Sequence, residues 1–568
     1  MNKRILIKYS LLILAVMLIP LASAQAAILQ VGSSWPGTPY ADIQSAITAA
    51  ADTDEIWVEQ GTYALTAMIN VNKKVAIYGG FTGSETARSQ RDWVTNVTTV
   101  DGQNTVGCFY TTVDATIDGF TITRGYKSGS GDVDKGAGIL NGDPSLGAPP
   151  ADAPDLTVAN CIFYRNESFL KSGGAICNFT SAGNLTITAS IFTENFGDEQ
   201  GGAIRVQKGN TTITDCVFTG NKIKKDTGGV GGAVAISNTA GTAVIERCTF
   251  TENKCRDAGA VSADVNVTIS RCIFKNNNPV IAAPRYGTVG SRGDLPVTVT
   301  NCLFYGNRVQ YGGGIAINGS GTNENLNVMN CTFANNILVG TGATGGAIYS
   351  LKTGGTAFNV TNCILWGNTN TNEIAGPTGF LAPTVSYTDT DQTGYAGSNG
   401  NINQDPLFVG SGDYHLQTTP TASPCIDTGT NSGAPNDDLE GKTRPQGLGY
   451  DMGAYETYNP VTLIELSSFT AIPSNKEVVL TWSTASEIDN AGFNIYRAGA
   501  DGEFAKINAE IILAKGSSTS GAAYEFVDNG LQNRKSYSYQ LEDIDLNGSS
   551  TMHGPVSAIP RWIYAIGK

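Results

Sequence analysis

The chain has 568 residues, 68 of them glycine, with only 15% charged residues and a formal net charge of −14. Leaving out Lys3, Arg4 and Lys8 at its start gives −14 − 3 = −17, which argues against nucleic acid or an anionic membrane as a partner. The length allows more than one domain, and the glycine-rich, charge-poor composition is not that of a helix-rich protein.

Lys3, Arg4 and Lys8 precede an apolar run, Leu11 to Leu21, that is too short to span a bilayer. Ala22-Ser23-Ala24 then has the small-x-small form of a cleavage site. Residues 1–24 are therefore expected to be an export signal, leaving a mature chain with no transmembrane segment that works outside the cell or on its outer surface. No cysteine follows the cleavage site, so a lipid anchor is not expected.

Residues 28–100 read as an N-terminal cap and first coils. Within Tyr40 to Ala51, Ile43, Ala46, Ile47 and Ala50 fall at helical spacing. Strand-like Ile56-Trp57-Val58 and Val75-Ala76-Ile77-Tyr78 follow. An amphipathic helix there can cover the open end of a solenoid.

Residues 101–457 are organised by one repeating grid. Its clearest copy is Val297, Val299, Cys302, Phe304 and Asn307. The cysteine slot recurs at 161, 190, 216, 248, 272, 302, 331 and 363, so one period takes from 24 residues (248 to 272) to 32 (216 to 248). A degenerate first copy is Ala115, Ile117, Phe120, Ile122 and Gly125. Apolar residues alternate within each half of the grid, but the parity slips just before the cysteine slot. A slip sends side chains to the wrong face unless the chain bends there. The grid therefore predicts two short strands meeting at a corner. Gly173-Gly174-Ala175-Ile176 and its copies at 201, 231, 258, 312 and 345 predict a third strand entered through a glycine turn. Three short strands per period, stacked about 4.8 Å apart, make a parallel β-helix.

Seven of the eleven cysteines occupy the repeat slot. Stacked in register, their Cβ atoms would lie about 4.8 Å apart, beyond the roughly 3.5–4.5 Å a disulfide needs, so they are expected to be small buried apolar side chains. Phenylalanines should stack inside, and the asparagines should bond one another and turn backbone. Gly125 to Pro154 reads as a long surface loop. Beyond Asn368 the grid fades, and residues 405–456 are expected to be irregular last turns that close the solenoid. From 461 to 560 alternating strands, including Val478 to Trp482 and Tyr537 to Leu541, predict a β-sandwich. The fold class is all-β: a right-handed parallel β-helix solenoid with a C-terminal β-sandwich.

Chemistry is sparse in the sequence. The slots read as outward on the third strand hold Ala175, Ala203, Ala233, Ala260, Gly314 and Ala347, and then Cys177, Arg205, Ala235, Ser262, Ala316 and Tyr349. Neither column offers the acid pair that glycoside hydrolysis needs. His415 and His553 read as surface residues without a visible partner. Asp543, Asp545, Asn547 and Gly548 imitate a calcium loop, but Gly554 stands where the glutamate ligand belongs, so a hairpin turn is preferred. No cofactor or metal is expected. Arg205, Lys208, Lys222, Lys224, Lys225, Lys254 and Arg256 fall on successive turns. They are either a solvated face or the ligand-binding groove for a polysaccharide or cell-surface glycan. In a lyase, one of these bases could take the proton beside a uronate carboxyl.

Several stretches resemble known families. Gly201 to Ile204 with Phe218 and Asn221 are similar to the repeats of polymorphic outer membrane proteins. Ile43-Gln44-Ser45-Ala46-Ile47, Ile56-Trp57-Val58 and Gly61-Thr62-Tyr63 resemble the start of pectin-lyase-like β-helices, a resemblance that implies a right-handed coil and includes lyases, esterases and hydrolases of polysaccharides. Asp405-Pro406-Leu407-Phe408 to Asp451-Met452-Gly453-Ala454-Tyr455-Glu456 resembles a choice-of-anchor Q domain. Trp482 and the Tyr537-x-Tyr539 strand resemble a fibronectin type III module. No autotransporter barrel is expected after Pro460, because the remaining region is too short. Together these readings point to a surface protein for adhesion or glycan binding without catalysis, with a lyase of acidic glycans as the alternative.

Overall fold

The computed structural model describes residues 26–562 apart from 130, 132–133, 144–152, 180, 225–228, 238–240, 279–284, 294, 318–325, 353–357, 370–371, 419–420, 459–463, 488–489, 500–501, 518–519 and 546–549. The export signal, Lys225 and Asn459-Pro460 lie outside the described residues. Two compact units are formed, one by residues up to 444 with 450–456, the other by 445–449 with 457 onward.

The first unit is a parallel β-helix. Thirteen strands make its first sheet, twelve its second and eleven its third. Neighbouring turns pair in register, as Val297–Thr300 does with Leu326–Met329 and Leu303–Tyr305 with Thr332–Ala334. The parity slip has its physical cause at one residue. Gly119, Asn160, Ala189, Asp215, Arg247, Arg271, Asn301, Asn330 and Asn362 precede the cysteine slot and all have φ between 46° and 84°. A left-handed residue between two strands turns the chain, so the apolar residues on both sides face one core. A second left-handed residue, such as Arg165, Gly220 or Gly306, ends most second-sheet strands, and one such as Gly173, Gly201, Gly231, Ala258 or Gly312 opens most third-sheet strands.

Three columns fill the interior. The rings of Phe163, Phe192, Phe218, Phe250, Phe274, Phe304 and Phe333 are fully buried and stack at 4.6–4.9 Å. Each asparagine amide bridges to the next turn, as when Asn277 Nδ2 donates to Asn307 Oδ1 (2.9 Å) and to the Phe250 carbonyl (3.0 Å). The cysteines are all unbridged and buried. Their slot is more polar than the sequence implied. The Cys272 amide donates to Cys302 Sγ (3.4 Å), and that thiol donates to the Thr300 carbonyl (3.1 Å). Ser190 and Thr388 take the same slot because a hydroxyl makes the same two bonds. Burial pushes the thiols of Cys108, Cys161 and Cys255 up to about 12, which keeps them protonated and unreactive.

Helix α1 (Ile43–Ala49) is capped by the Asp42 carboxylate, which accepts from the Ser45 amide at 2.7 Å. Its buried face, Ile43, Ala46 and Ile47, joins the core at the first turns.

The structure corrects three expectations. Gly125 to Pro154 is not only loop, because Ile139–Asn141 is a third-sheet strand entered through Gly136-Ala137-Gly138. The Ala175 column does not face outward. Ala175, Ala203, Ala233, Ala260 and Ala347 are core residues, because the turn at the preceding glycine aims two consecutive side chains inward. A Cβ at Gly314 of this column would sit 2.3 Å from the Phe333 ring. Residues 405–456 do not coil after the last turn. The β-helix gains one further turn, Thr384–Ser386 with Asp389–Thr390, and the chain then lies back along the outer face of the second sheet. There it buries Leu303 and Ile364. The corner asparagines hold it through Asn301 Nδ2 to the Asp437 carbonyl (2.7 Å) and Asn362 Nδ2 to the Thr430 carbonyl (2.7 Å). A buried Arg444–Glu456 ion pair of 2.5 Å closes the segment.

The second unit is an antiparallel sandwich. One sheet contains Ile464–Ser474, Glu477–Glu487 and Ala523–Asn529, and the other is built on Asn490–Ala498, Tyr537–Asp545 and Ser550–Ala558. Trp482 stacks on Tyr524 at 5.1 Å in its core.

Candidate functional site

The corner between the second and third sheets carries most of the cations the sequence singled out. Short strands follow the asparagines there. Glu167–Ser168, Phe196–Gly197 and Lys222–Ile223 pair in order, and Lys222 bridges to Lys254 in the next turn. This pairing places Glu167, Phe196, Lys222 and Lys254 in one outward column. Lys222 Nζ sits 4.5 Å from the Phe196 ring centroid. Lys224 lies 4.7 Å over Phe169 and forms an ion pair with Glu167.

The remaining sequence candidates separate. Arg205 is on the outer face of the third sheet, between Cys177 and Ala235, and is buried. Its guanidinium donates to the Val206 carbonyl (3.1 Å) and to Ser237 Oγ, and burial lowers its pKa from the usual value. Lys208 follows the strand Ile204–Val206 at the opposite edge of that sheet, where its carbonyl accepts from Asn178 Nδ2 (2.9 Å). Lys222, Lys224, Lys254 and Arg256 thus share a corner, and Arg205 and Lys208 do not.

Sequence reasoning missed the continuation of this corner. Tyr286 and Tyr311 occupy the position before the turn glycines of their periods and bridge in parallel. Their rings lie 5.6 Å apart, and the Tyr349 ring of the third sheet lies tilted 4.8 Å from Tyr311. Burial raises the Tyr349 pKa. Arg285 lies 5.4 Å over Tyr286, and its amide donates to the Arg256 carbonyl at 2.7 Å, so the two arginines are neighbours in adjacent turns. The signal was present as Arg285-Tyr286-Gly287-Thr288-Val289, but threonine in the alanine slot hid the third-strand motif.

Charge pairing sets these residues apart. Among the described residues of the β-helix, Arg88, Arg91, Arg124, Arg165, Arg247, Arg271, Arg292 and Arg444 each meet an acid. Arg256, Arg285 and Arg308 have neither an ion pair nor a side-chain hydrogen bond among the described residues, and all three belong to this corner.

The histidines are better connected than expected. His415 Nδ1 meets Asp413 at 2.6 Å and Nε2 meets Glu440 at 3.3 Å, with the ring packed on Tyr455. His553 Nε2 meets Asp543 at 2.8 Å. Asp543 pairs across the strands with Thr551, and Asn547 and Gly548 of the calcium-like stretch lie outside the described residues. No helix among the described residues is long and apolar enough to cross a membrane.

A family described as "Right handed beta helix region" matches residues 202–376. The stacked parallel sheets and this match make the first unit a right-handed parallel β-helix. The chain is 28% identical over 238 residues to metabotropic glutamate receptor-like protein R of Dictyostelium discoideum, covering 40% of this chain. It spans only 13% of that relative's length. A pectin methylesterase structure in complex with hexasaccharide VII covers 56% of this chain and 91% of its own, at 12% identity and a TM-score of 0.26.

Proposed function

We propose that this is an exported, non-enzymatic protein of the extracellular space or outer cell surface. In this reading it contacts acidic polysaccharide through the corner between its second and third sheets and serves in adhesion. The observation that carries the reading is the set Arg256, Arg285 and Arg308, cations of three successive turns with no acidic partner among the described residues, in a chain of net charge −14. Like charges in adjacent turns repel, and an anion placed between them removes that cost. A guanidinium takes a carboxylate through two parallel hydrogen bonds. The Tyr286 and Tyr311 faces add rigid contact area beside them. Lys222, Lys224 and Lys254 extend the charge along the same corner. Residues 405–456 and the sandwich are proposed as an attachment element of the choice-of-anchor Q type and a fibronectin type III-like spacer.

Retention on immobilised polygalacturonate tests the reading. Binding should weaken as salt rises, and the double variant Arg256→Ala/Arg285→Ala should lose at least about tenfold in affinity, the factor that about 1.4 kcal/mol of interaction gives. Equal binding by the variant removes the strip. New unsaturated sugar ends in the incubation would replace binding by a lyase activity.

A further inference from the structure

The three long sheets have six edge strands, and an unpaired edge exposes backbone donors and acceptors. At the C-terminal end each edge is met. Gln392 grips Ile374 of the third sheet, accepting from its amide (2.7 Å) and donating to its carbonyl (3.2 Å). The Ile402 carbonyl accepts from the Thr390 amide (3.1 Å), and the Ile402 amide donates to the Thr388 carbonyl (3.1 Å) beside the last second-sheet strand. Asn401 Nδ2 donates to the Val385 carbonyl (2.9 Å) at the end of the first sheet. At the N-terminal end the Tyr40 amide donates to the Gln30 carbonyl (2.8 Å) and its carbonyl accepts from Gly32 (3.1 Å), which covers the first sheet. Gln44 of α1 covers the third, because its side chain meets both the amide (2.7 Å) and the carbonyl (3.2 Å) of Asn70.

The sixth edge is open. Gly61–Ala64, the first strand of the second sheet, pairs with Thr98–Asp101 on one side and with no strand on the other among the described residues. The Gly61 and Leu65 amides donate to Val97 (3.0 Å) and Asp101 (2.9 Å). Strand backbone alternates in direction, so the amides and carbonyls of Thr62 and Ala64 point away from that partner. Both residues are exposed, while Tyr63 and Leu65 are half-buried on the end of the core. Two cavities of about 460 and 660 Å³ lie against this strand, and Ala41 and Tyr63 line both, so they form one groove. A Cβ on Gly61 would meet nothing within 4 Å.

We propose that the groove takes an extended, basic peptide segment of a partner protein, which pairs with Gly61–Ala64 as an added strand. Side chains alternate along a strand, so every second residue of the peptide lies over Tyr63 or Leu65 and is apolar, as each later turn lies on the one before. Charge sets the rest of its composition. Asp42 and Glu59 line the groove and no lysine or arginine does, so cationic side chains on the peptide are matched. The same acids disfavour a second copy. A two-fold pairing of Gly61–Ala64 with itself would bring two acidic walls together in chains of net charge −14. This edge belongs to the first turn, and its occupancy is independent of the cationic corner.

The probe is a short fluorescent peptide with blocked ends, alternating valine and threonine between terminal lysines. Its binding to the full chain, read by anisotropy, should slow amide exchange at Thr62 and Ala64. Methylating the peptide's backbone nitrogens, or replacing its lysines by glutamate, should each weaken binding at least about tenfold. Ala64→Pro removes a donor on the open edge without touching the bonds to Thr98–Asp101, and should cause the same loss. The methylated peptide needs no altered chain, so the test stands if that variant fails to fold. Equal binding of the methylated peptide or by a folded Ala64→Pro variant overturns the proposal, as does no binding at about 1 mM peptide. A dimer of the natural chain in sedimentation that Ala64→Pro dissolves also overturns it, because the occupant would then be a second copy.

Discussion

Replacing Phe304 by alanine tests the stacked core directly. The ring is fully buried and lies 4.6 Å from Phe274 on one side and 4.6 Å from Phe333 on the other. Loss of the buried side chain and the cavity it leaves should cost about 3–5 kcal/mol. About 0.5–1.5 kcal/mol of that belongs to each of the two ring contacts. The damage should be local, since each turn of a solenoid touches only its neighbours. Guanidinium unfolding gives the total, and amide exchange places it: the largest loss of protection belongs in Ile273–Lys275 and Thr332–Ala334. Phe304→Leu should cost less than the alanine change, because Leu365 already fills this column one turn beyond Phe333. A loss under about 1 kcal/mol for Phe304→Ala, against that range, would refute the argument. So would greater loss of protection at Leu185–Thr188 than beside the site.

Two further substitutions probe the other internal contacts. Cys302→Ser should stay within about 1 kcal/mol of the natural chain, since Ser190 makes the same bonds in its slot, whereas Cys302→Val strands the Cys272 amide and should cost about 1–3 kcal/mol more in denaturant unfolding. Arg444→Met leaves Glu456 buried without its partner and should cost about 3–5 kcal/mol, most of it recovered when Glu456→Leu is added, as thermal unfolding of the double variant would show.

The repeat was legible because its constraints are geometric and recur. The parity slip before Cys161 or Cys302 located a corner that the left-handed residues at 160 and 301 make. The serine at 190 did not hide its turn, but two other turns escaped notice. The coil through Val385 and Thr388 replaces cysteine by threonine, and Gly136-Ala137-Gly138-Ile139 reorders the third-strand signal. Residues 405–456 were unreadable for another reason. They have no period of their own, and the surface they cover is recognisable only from Leu303, Ile364 and the corner asparagines of distant turns. The candidate site divides in the same way. Lys222, Lys224, Lys254 and Arg256 could be grouped from spacing, but that Arg256, Arg285 and Arg308 form no ion pair among the described residues depends on how distant turns place their carboxylates, as when Asp257 pairs with Arg292 instead.

The amide column described above has one sense throughout, each Asn Nδ2 pointing at the Oδ1 of the following turn, as from Asn195 to Asn221 and from Asn307 to Asn336. A duplicated turn spliced between any two others would therefore present a matching acceptor upstream and donor downstream. Loop lengths can drift, while the interval from Val297 to Asn307 cannot change by one residue without breaking alignment. Such a scaffold can lengthen by gene duplication in whole units, with Asn368, whose Nδ2 donates to Glu373 Oε2, retained as its terminus.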